Sequence, residues 1–327
     1  MGRYFIRRVL YAIPALLVIS FISFLLIQLP PGTFADTVAA EMMESASVNE
    51  SAIRAIEERY GLNQPIMVQY WKWISGILLR GDFGESFIWN RPVAPLMWER
   101  LGLTLVLTAS AFIFVCVVSV PIGIFSAVRQ YSVGDYIATS LGFLGLAVPS
   151  FLFALILMYI GFRYFGTSIG GFFSPDFARA EWSWARVADL LSNLWMPMLA
   201  VGLAGTASLI RIVRANLLDE LLKPYVAAAR AKGLSELSLL LKYPVRLALI
   251  PFVATVGWML PQLVSGATIV SVVMSLPTTG PMLLRSLLGQ DMYLAASFIM
   301  MLSGLTVIGT LISDVLLALV DPRIRFT

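Results

Sequence analysis

Six apolar stretches, at 9–29, 101–128, 137–159, 194–212, 247–273 and 294–320, set the strongest limit on what this sequence can fold into. About 20 helical residues cross roughly 30 Å of hydrocarbon, and each stretch is close to that length or beyond it. Backbone in lipid must satisfy its own hydrogen bonds, so the reading is an all-α membrane protein with six transmembrane helices. Pro14, Pro121, Pro149, Pro197, Pro251 and Pro261 fall inside the stretches and predict kinks, with neighbouring helices covering the freed carbonyls. With 59% apolar residues, 13% charged residues and a mean hydropathy of +0.85, a soluble domain is excluded.

Arg3, Arg7 and Arg8 precede the first stretch and place the N-terminus in the cytoplasm. The run is followed by Gln28-Leu29-Pro30-Pro31-Gly32 rather than a small-residue cleavage site, so it reads as a retained helix and not a signal peptide. An even number of crossings returns the C-terminus to the same side. In that orientation the inner segments hold 13 Lys/Arg against 5 Asp/Glu, and the outer ones hold 10 against 13. The net charge of +4 is therefore positive-inside bias rather than a nucleic-acid surface.

Residues 30–100 form a long outer segment. Amphipathic helices are expected at 51–59 (Ile53, Ile56), stopped by Gly61, and at 65–80, stopped by Gly81. The second has an apolar side of Val68, Trp71, Ile74, Ile77 and Leu78. Trp71, Trp73, Trp89 and Trp98 suit a surface lying along the membrane interface. The chain thus divides into 1–29, 30–100, and a five-helix core at 101–327 whose cytoplasmic loop occupies 213–246.

Catalytic chemistry has little to work with. The sequence has no histidine and a single cysteine, Cys116, inside an apolar run, which argues against a metal centre and a disulfide. No G-x-x-x-x-G-K-[ST] loop is present to hold ATP, and no G-x-S-x-G elbow. Only Asp314 is an acid embedded in an apolar stretch, whereas ion-driven carriers and intramembrane proteases need several ionisable groups. An ion-coupled carrier acting alone is the remoter alternative.

The loop at 213–246 is the most informative stretch. Pro224 suits a first helical turn, Gly233 suits the residue just past a helix end, and Arg230 and Lys232 suit a last turn. A short, separately capped helix is expected at 224–232. Ala227, Ala228, Ala229 and Ala231 would let it seat closely in a groove, although alanine is also the best helix former.

Ala229-Arg230-Ala231-Lys232-Gly233-Leu234 resembles the cytoplasmic coupling loop of permease subunits of ATP-binding-cassette importers, in the branch that carries peptides, nickel, opines and some oligosaccharides. Ala227 stands where the general loop signature has Glu, while Ala228, Ala229 and Gly233 match it. Three further blocks carry the resemblance in order: Tyr60-Gly61-Leu62-Asn63-Gln64-Pro65 with Val68-Gln69-Tyr70; Gly81-Asp82-Phe83-Gly84-Glu85-Ser86 with Arg91-Pro92-Val93 and Arg100; and Asp321-Pro322-Arg323. It covers nearly the whole chain and is closest to the B-type subunit of oligopeptide and dipeptide permeases.

The resemblance implies the type I importer permease fold, in a bacterial or archaeal inner membrane. It implies a second homologous permease, two ATPase subunits that bind ATP and Mg²⁺, and an external solute-binding protein. Tyr225, Ala228, Ala229, Arg230, Ala231, Lys232, Gly233 and Leu234 would couple this chain to the ATPase. One block departs from the family. On the outer side of the fifth stretch the usual V-E-x-I-F-x-x-P-G-x-G is replaced by a run with Ser271 for Glu and Met274 for Phe, keeping Pro277 and Gly280. Ser271, Pro277, Gly280 and Asp314 are candidates for the pathway or gate, and an oligosaccharide rivals a peptide as solute. Asp314 could instead bond a neighbouring helix near the headgroups, which is the preferred reading.

Overall fold

The computed structural model describes residues 2–28, 64–166, 170–178 and 180–320. Among these residues the chain forms eleven helices and one short antiparallel hairpin. The helices are α1 (Gly2–Gln28), α2 (Ile66–Arg80), α3 (Val93–Val128), α4 (Val133–Ala147), α5 (Ser150–Phe165), α6 (Trp184–Leu221), α7 (Pro224–Ala231), α8 (Glu236–Lys242), α9 (Pro244–Val273), α10 (Thr279–Leu288) and α11 (Met292–Val320). Strands β1 (Glu85–Ser86) and β2 (Arg91–Pro92) lie between α2 and α3.

Four helices are long and apolar enough to cross a membrane, over Ile6–Leu25, Val93–Val128, Trp184–Leu221 and Met292–Val315. The stretch expected at 137–159 is not one rod. It is two helices, α4 and α5, bent by 109° at Val148–Pro149. The cause is local: a residue before proline is pushed out of the helical region. Val148 accordingly sits at φ −87°, ψ 122°, and Pro149 begins the next helix as its cap. Counted as one span, the pair makes a fifth. The stretch at 247–273 lies within α9, which contains Pro251 and Pro261.

The described chain divides into two compact units. The first comprises Met1–Arg8, Thr104–Leu276 and Thr306–Thr327. Within it α6 is the central helix, packed against α4, α5 and α9. Small residues allow the close approaches that helix packing in lipid relies on. A Cβ at Gly123 would lie 2.7 Å from Val213, and one at Gly145 would lie 3.2 Å from Leu203. In the loop after α5, Gly171 donates its N–H to the Met274 carbonyl at 3.0 Å.

The second unit comprises Val9–Leu103 and Pro277–Leu305. The helix at 65–80 forms as expected and closes on Gly81 at φ 64°, which leaves the expected helix at 51–59 outside the described residues. Only part of the expected apolar side of this helix is buried. Trp73 and Ile74 are buried, Ile77 packs against the same core, and Val68, Trp71 and Leu78 are exposed. Trp73 is thus a core residue stacked on Phe24 at 5.5 Å, while Trp71 and Trp98 remain at the surface. Tyr70 bridges α1 and α2 through its hydroxyl, 2.9 Å from Ser20 Oγ.

Asp291, fully buried, organises the rest of this unit. It accepts from Ser86 Oγ at 2.5 Å, from the Ile88 N–H at 3.2 Å and, as the cap of α11, from the Leu294 N–H at 3.3 Å. Burial pushes its carboxyl above the ordinary range, against the opposing pull of those hydrogen bonds.

Candidate functional site

The loop between α6 and α9 is built from two short helices. Lys223 is extended (φ −77°, ψ 147°), which lets Pro224 start α7 where its missing N–H is no loss. Lys232 caps the helix end and Gly233 turns the chain at φ 78°. Nothing lies within 4 Å of a Cβ built at Gly233, so glycine is required there by backbone geometry and not by crowding. Seven residues of α8 follow, and Pro244 starts α9.

Val226 and Ala229 of α7 are buried against Leu239 of α8, with Tyr225, Leu234 and Tyr243 packed around them. This corrects the expectation that four alanines form one outward face. Ala229 falls three residues after Val226 and points with it into the loop's own core. Ala227, Ala228 and Ala231 are exposed, as are Arg230, Lys232 and Gly233.

Charged groups brace this arrangement. Arg230 grips Glu236 through Nε at 2.6 Å and Nη2 at 3.1 Å, tying α7 to α8. The bond to Arg230 holds the Glu236 carboxyl below its ordinary value. Glu220, at the end of α6, accepts from Tyr225 Oη at 2.7 Å and pairs with Lys223 at 2.5 Å. Burial, then the bond to Glu220, pushes the Tyr225 phenol up to about 12. Both ends of α7 are thereby linked to the helices beside it.

A second ionic link was not foreseen from the sequence. Arg214 donates to both Asp135 oxygens, at 3.0 and 2.9 Å, so α6 is joined to the first turn of α4. Asp135 also accepts from the Tyr131 N–H at 2.9 Å and from Ser126 Oγ, which satisfies a carboxylate that is only 3% exposed. A legible signal was present: Ser132-x-x-Asp135 is a helix-start pattern, and Ser132 Oγ does accept from the Asp135 N–H.

The other candidates lie on α11, near the end of α9 and at the start of α10. Asp314 pairs with Arg8 of α1 at 3.2 Å. Ser271 is buried near the end of α9, and its carbonyl accepts from Leu276 N–H at 2.9 Å. Pro277 is half-buried, and Gly280 is buried in the first turn of α10.

With this geometry in hand, two family profiles match the chain. Residues 119–326 match the family described as binding-protein-dependent transport system inner membrane component. Residues 1–108 match the N-terminal region described for the membrane component of such systems. The oligopeptide transport system permease protein AppB of Bacillus subtilis is 34% identical, covering all of both chains. The oligopeptide transport system permease protein OppB of Mycobacterium tuberculosis is 32% identical over 99% of each chain. The glutathione transport system permease protein GsiC of Salmonella paratyphi A is 30% identical over the full length of both. The chain belongs to the family of inner-membrane components of binding-protein-dependent transport systems, as a multi-pass permease subunit of an ATP-binding-cassette importer.

Proposed function

We propose that this permease forms half of the pathway for a peptide-class solute and that α7 is its coupling helix. Tyr225, Ala228, Arg230, Ala231, Lys232, Gly233 and Leu234 then form or frame the surface that enters a cleft of an ATPase subunit. Ala229 holds that surface from within. The observation that carries this reading is a short helix capped at both ends, anchored by Val226 and Ala229, whose free side is small: Ala227, Ala228 and Ala231. Eight residues do not hold a helix in isolation, so this loop is braced to present it.

The working unit is this chain, a second homologous permease, two ATPase subunits carrying ATP and Mg²⁺, and an external solute-binding protein. The chain crosses the membrane six times with both termini cytoplasmic, and 30–100 lies outside. The names of the relatives favour a peptide-class solute over an oligosaccharide. Ser271, Pro277 and Gly280 flank the outer end of the route, and Asp314 serves structure through its bond to Arg8.

Two measurements test the proposal. A cysteine introduced at Ser45 or Ser51 is expected to react with an impermeant thiol reagent from outside, and one at Ser235 only from inside. Labelling of the Ser235 position from outside in intact cells overturns the orientation. In proteoliposomes, uptake of a short peptide is expected only with the ATPase subunits, ATP and the binding protein present. Uptake driven by an ion gradient without ATPase subunits would establish the carrier alternative instead.

A further inference from the structure

A cavity of about 170 Å³ lies between α4 and α6 within the first unit. Its apolar walls include Phe143, Leu146 and Ile210, and its polar end is formed by Arg211 and Arg214. The two cations differ. Arg214 is neutralised by its bidentate bond to Asp135. Arg211 is exposed and has no hydrogen bond or ion pair among the described residues. An arginine on a membrane-crossing helix keeps its charge, and leaving that charge unpaired near hydrocarbon is unfavourable.

We infer that this cavity seats the phosphate of an anionic phospholipid, with Arg211 as its principal ligand and Arg214 beside it. Charge complementarity carries the choice of occupant. The cavity's two guanidinium groups face one carboxylate, so one positive charge is left for an anion. Its volume suits a phosphate group. Phe143 and Leu146 are 58% and 42% exposed, so the wall opens sideways onto an apolar helix surface along which acyl chains can lie. Depth agrees as well. Asp135 lies in the first turn of α4, directly after the loop at 129–132, and Arg211 lies three residues from Arg214, about 4.5 Å along the helix. That is headgroup depth, where basic pockets between membrane helices take anionic lipid. The inner leaflet is assigned on the topology proposed above, whereas the chemistry of the cavity does not depend on it.

The test uses the complete importer, purified with its partner subunits, stripped of lipid and titrated with phosphatidylglycerol or phosphatidylcholine while bound lipid is counted by native mass spectrometry. The wild type is expected to hold a phosphatidylglycerol per copy of this chain about ten-fold more tightly than phosphatidylcholine. Arg211→Gln is expected to lose that preference and Arg211→Lys to keep most of it. Leu146→Trp, which fills the apolar wall and leaves both charges, is expected to weaken phosphatidylglycerol by a smaller factor. Inorganic phosphate, lacking acyl chains, is expected not to displace the lipid. Unchanged phosphatidylglycerol binding in Arg211→Gln and Leu146→Trp overturns the inference, as does ready displacement by inorganic phosphate. An Arg211→Gln importer with normal lipid binding but weakened peptide uptake also overturns it, by placing the cation on the solute route. ATP-driven peptide uptake by the wild type is measured in parallel. Its failure would count against the proposed peptide pathway and leave the lipid count intact.

Discussion

Helices α2 and α7 end in the same way and are held in opposite ways. Each closes on a glycine in the left-handed region, Gly81 at φ 64° and Gly233 at φ 78°, with open space where a Cβ would stand. Helix α2 has 15 residues and lays Trp73 and Ile74 into a core that includes Phe24, Leu96, Met97 and Phe298. Helix α7 has eight residues and shares a cluster whose buried members are Val226, Ala229 and Leu239. The first is fixed by a large apolar core, while the second rests on a small cluster, its caps and the Glu220 contacts at its start. The weaker arrangement suits the coupling role proposed for α7, because a small cluster can shift with a docked partner, whereas a large core resists displacement.

The largest expected effect comes from breaking the strongly held region. Asp291→Ala removes the acceptor shared by Ser86, the Ile88 N–H and the Leu294 N–H. Leaving buried donors unpaired is expected to destabilise the second unit by about 3 kcal/mol, read as a lower thermal midpoint of the purified importer. Asp291→Asn keeps one acceptor and is expected to lose less. It also exposes a pH dependence. Because burial raises the Asp291 carboxyl pKa on folding, its protonated form favours the folded state. Wild-type stability is then expected to rise relative to Asp291→Asn as pH falls from 7 toward the ordinary carboxylate range near 4. Parallel pH curves would show that the carboxyl does not titrate on folding.

Next in size is a charge placed in the small cluster. Ala229→Glu puts a carboxylate between Val226 and Leu239, and a desolvated charge has no partner there. Peptide uptake is expected to fall by more than about ten-fold as α7 leaves its seat, with protein still inserted in the membrane. Ala228→Glu lies on the free face and leaves the cluster intact. It is expected to weaken co-purification with the ATPase subunits. If both variants dock and transport like the wild type, α7 is not the coupling surface.

The matched glycines test the comparison directly. Gly81→Val and Gly233→Val each force a β-branched residue into left-handed geometry, a strain of about 2 kcal/mol. In α2 the large core is expected to absorb that strain with a modest loss of stability and near-normal uptake. In α7 the same strain rivals what holds the helix, so ATP hydrolysis stimulated by the loaded binding protein and peptide uptake are expected to fall together. Gly233→Asn, which tolerates positive φ, is expected to restore both. Equal loss of uptake in both valine variants would mean that α7 is no more delicately held than α2.

The two regions also differ in how far they could be read from sequence. Both helix ends were legible, because proline and glycine impose local backbone geometry at Pro224, Gly233 and Gly81. Four of the apolar stretches, or five counting the bent pair, were legible as membrane-crossing helices from local composition. Which face a helix buries was not. The apolar spacing in α2 set Val68, Trp71 and Leu78 beside Ile74 and Ile77 and left out Trp73, and partners distant in sequence, such as Phe24, decided which of them are buried. Ala229 was misassigned likewise, since four alanines look alike until Leu239 arrives against one of them. The break at Val148–Pro149 was legible only as a kink, because the 109° turn also depends on how α4 and α5 pack against α6. Pairs far apart in the chain, Arg214 with Asp135 and Ser86 with Asp291, leave no local pattern that names the partner.

The smallest effect is expected at the most conspicuous ionic contact of the loop. Arg230 and Glu236 form a close bidentate pair, yet both side chains are more than half exposed. Solvent screens such a pair and each long side chain gives up rotamer freedom to form it, so exposed pairs contribute little to stability. Glu236→Gln is therefore expected to leave membrane level and thermal midpoint unchanged, and to lower uptake by less than about two-fold. Its informative consequence is elsewhere. In the docking proposed for α7, loss of Glu236 leaves the Arg230 guanidinium available to acidic groups of the ATPase subunit, and association that is sensitive to salt is expected to become more so. Co-purification of the ATPase subunits would be compared between wild type and Glu236→Gln across a salt series. A steeper loss with salt in the variant places Arg230 on the docking face beside Ala228 and Ala231. Superimposable curves, together with a large fall in thermal midpoint, would mean that the pair is a brace the loop cannot do without, and that α7 is held by its ionic contacts rather than by its caps and small cluster.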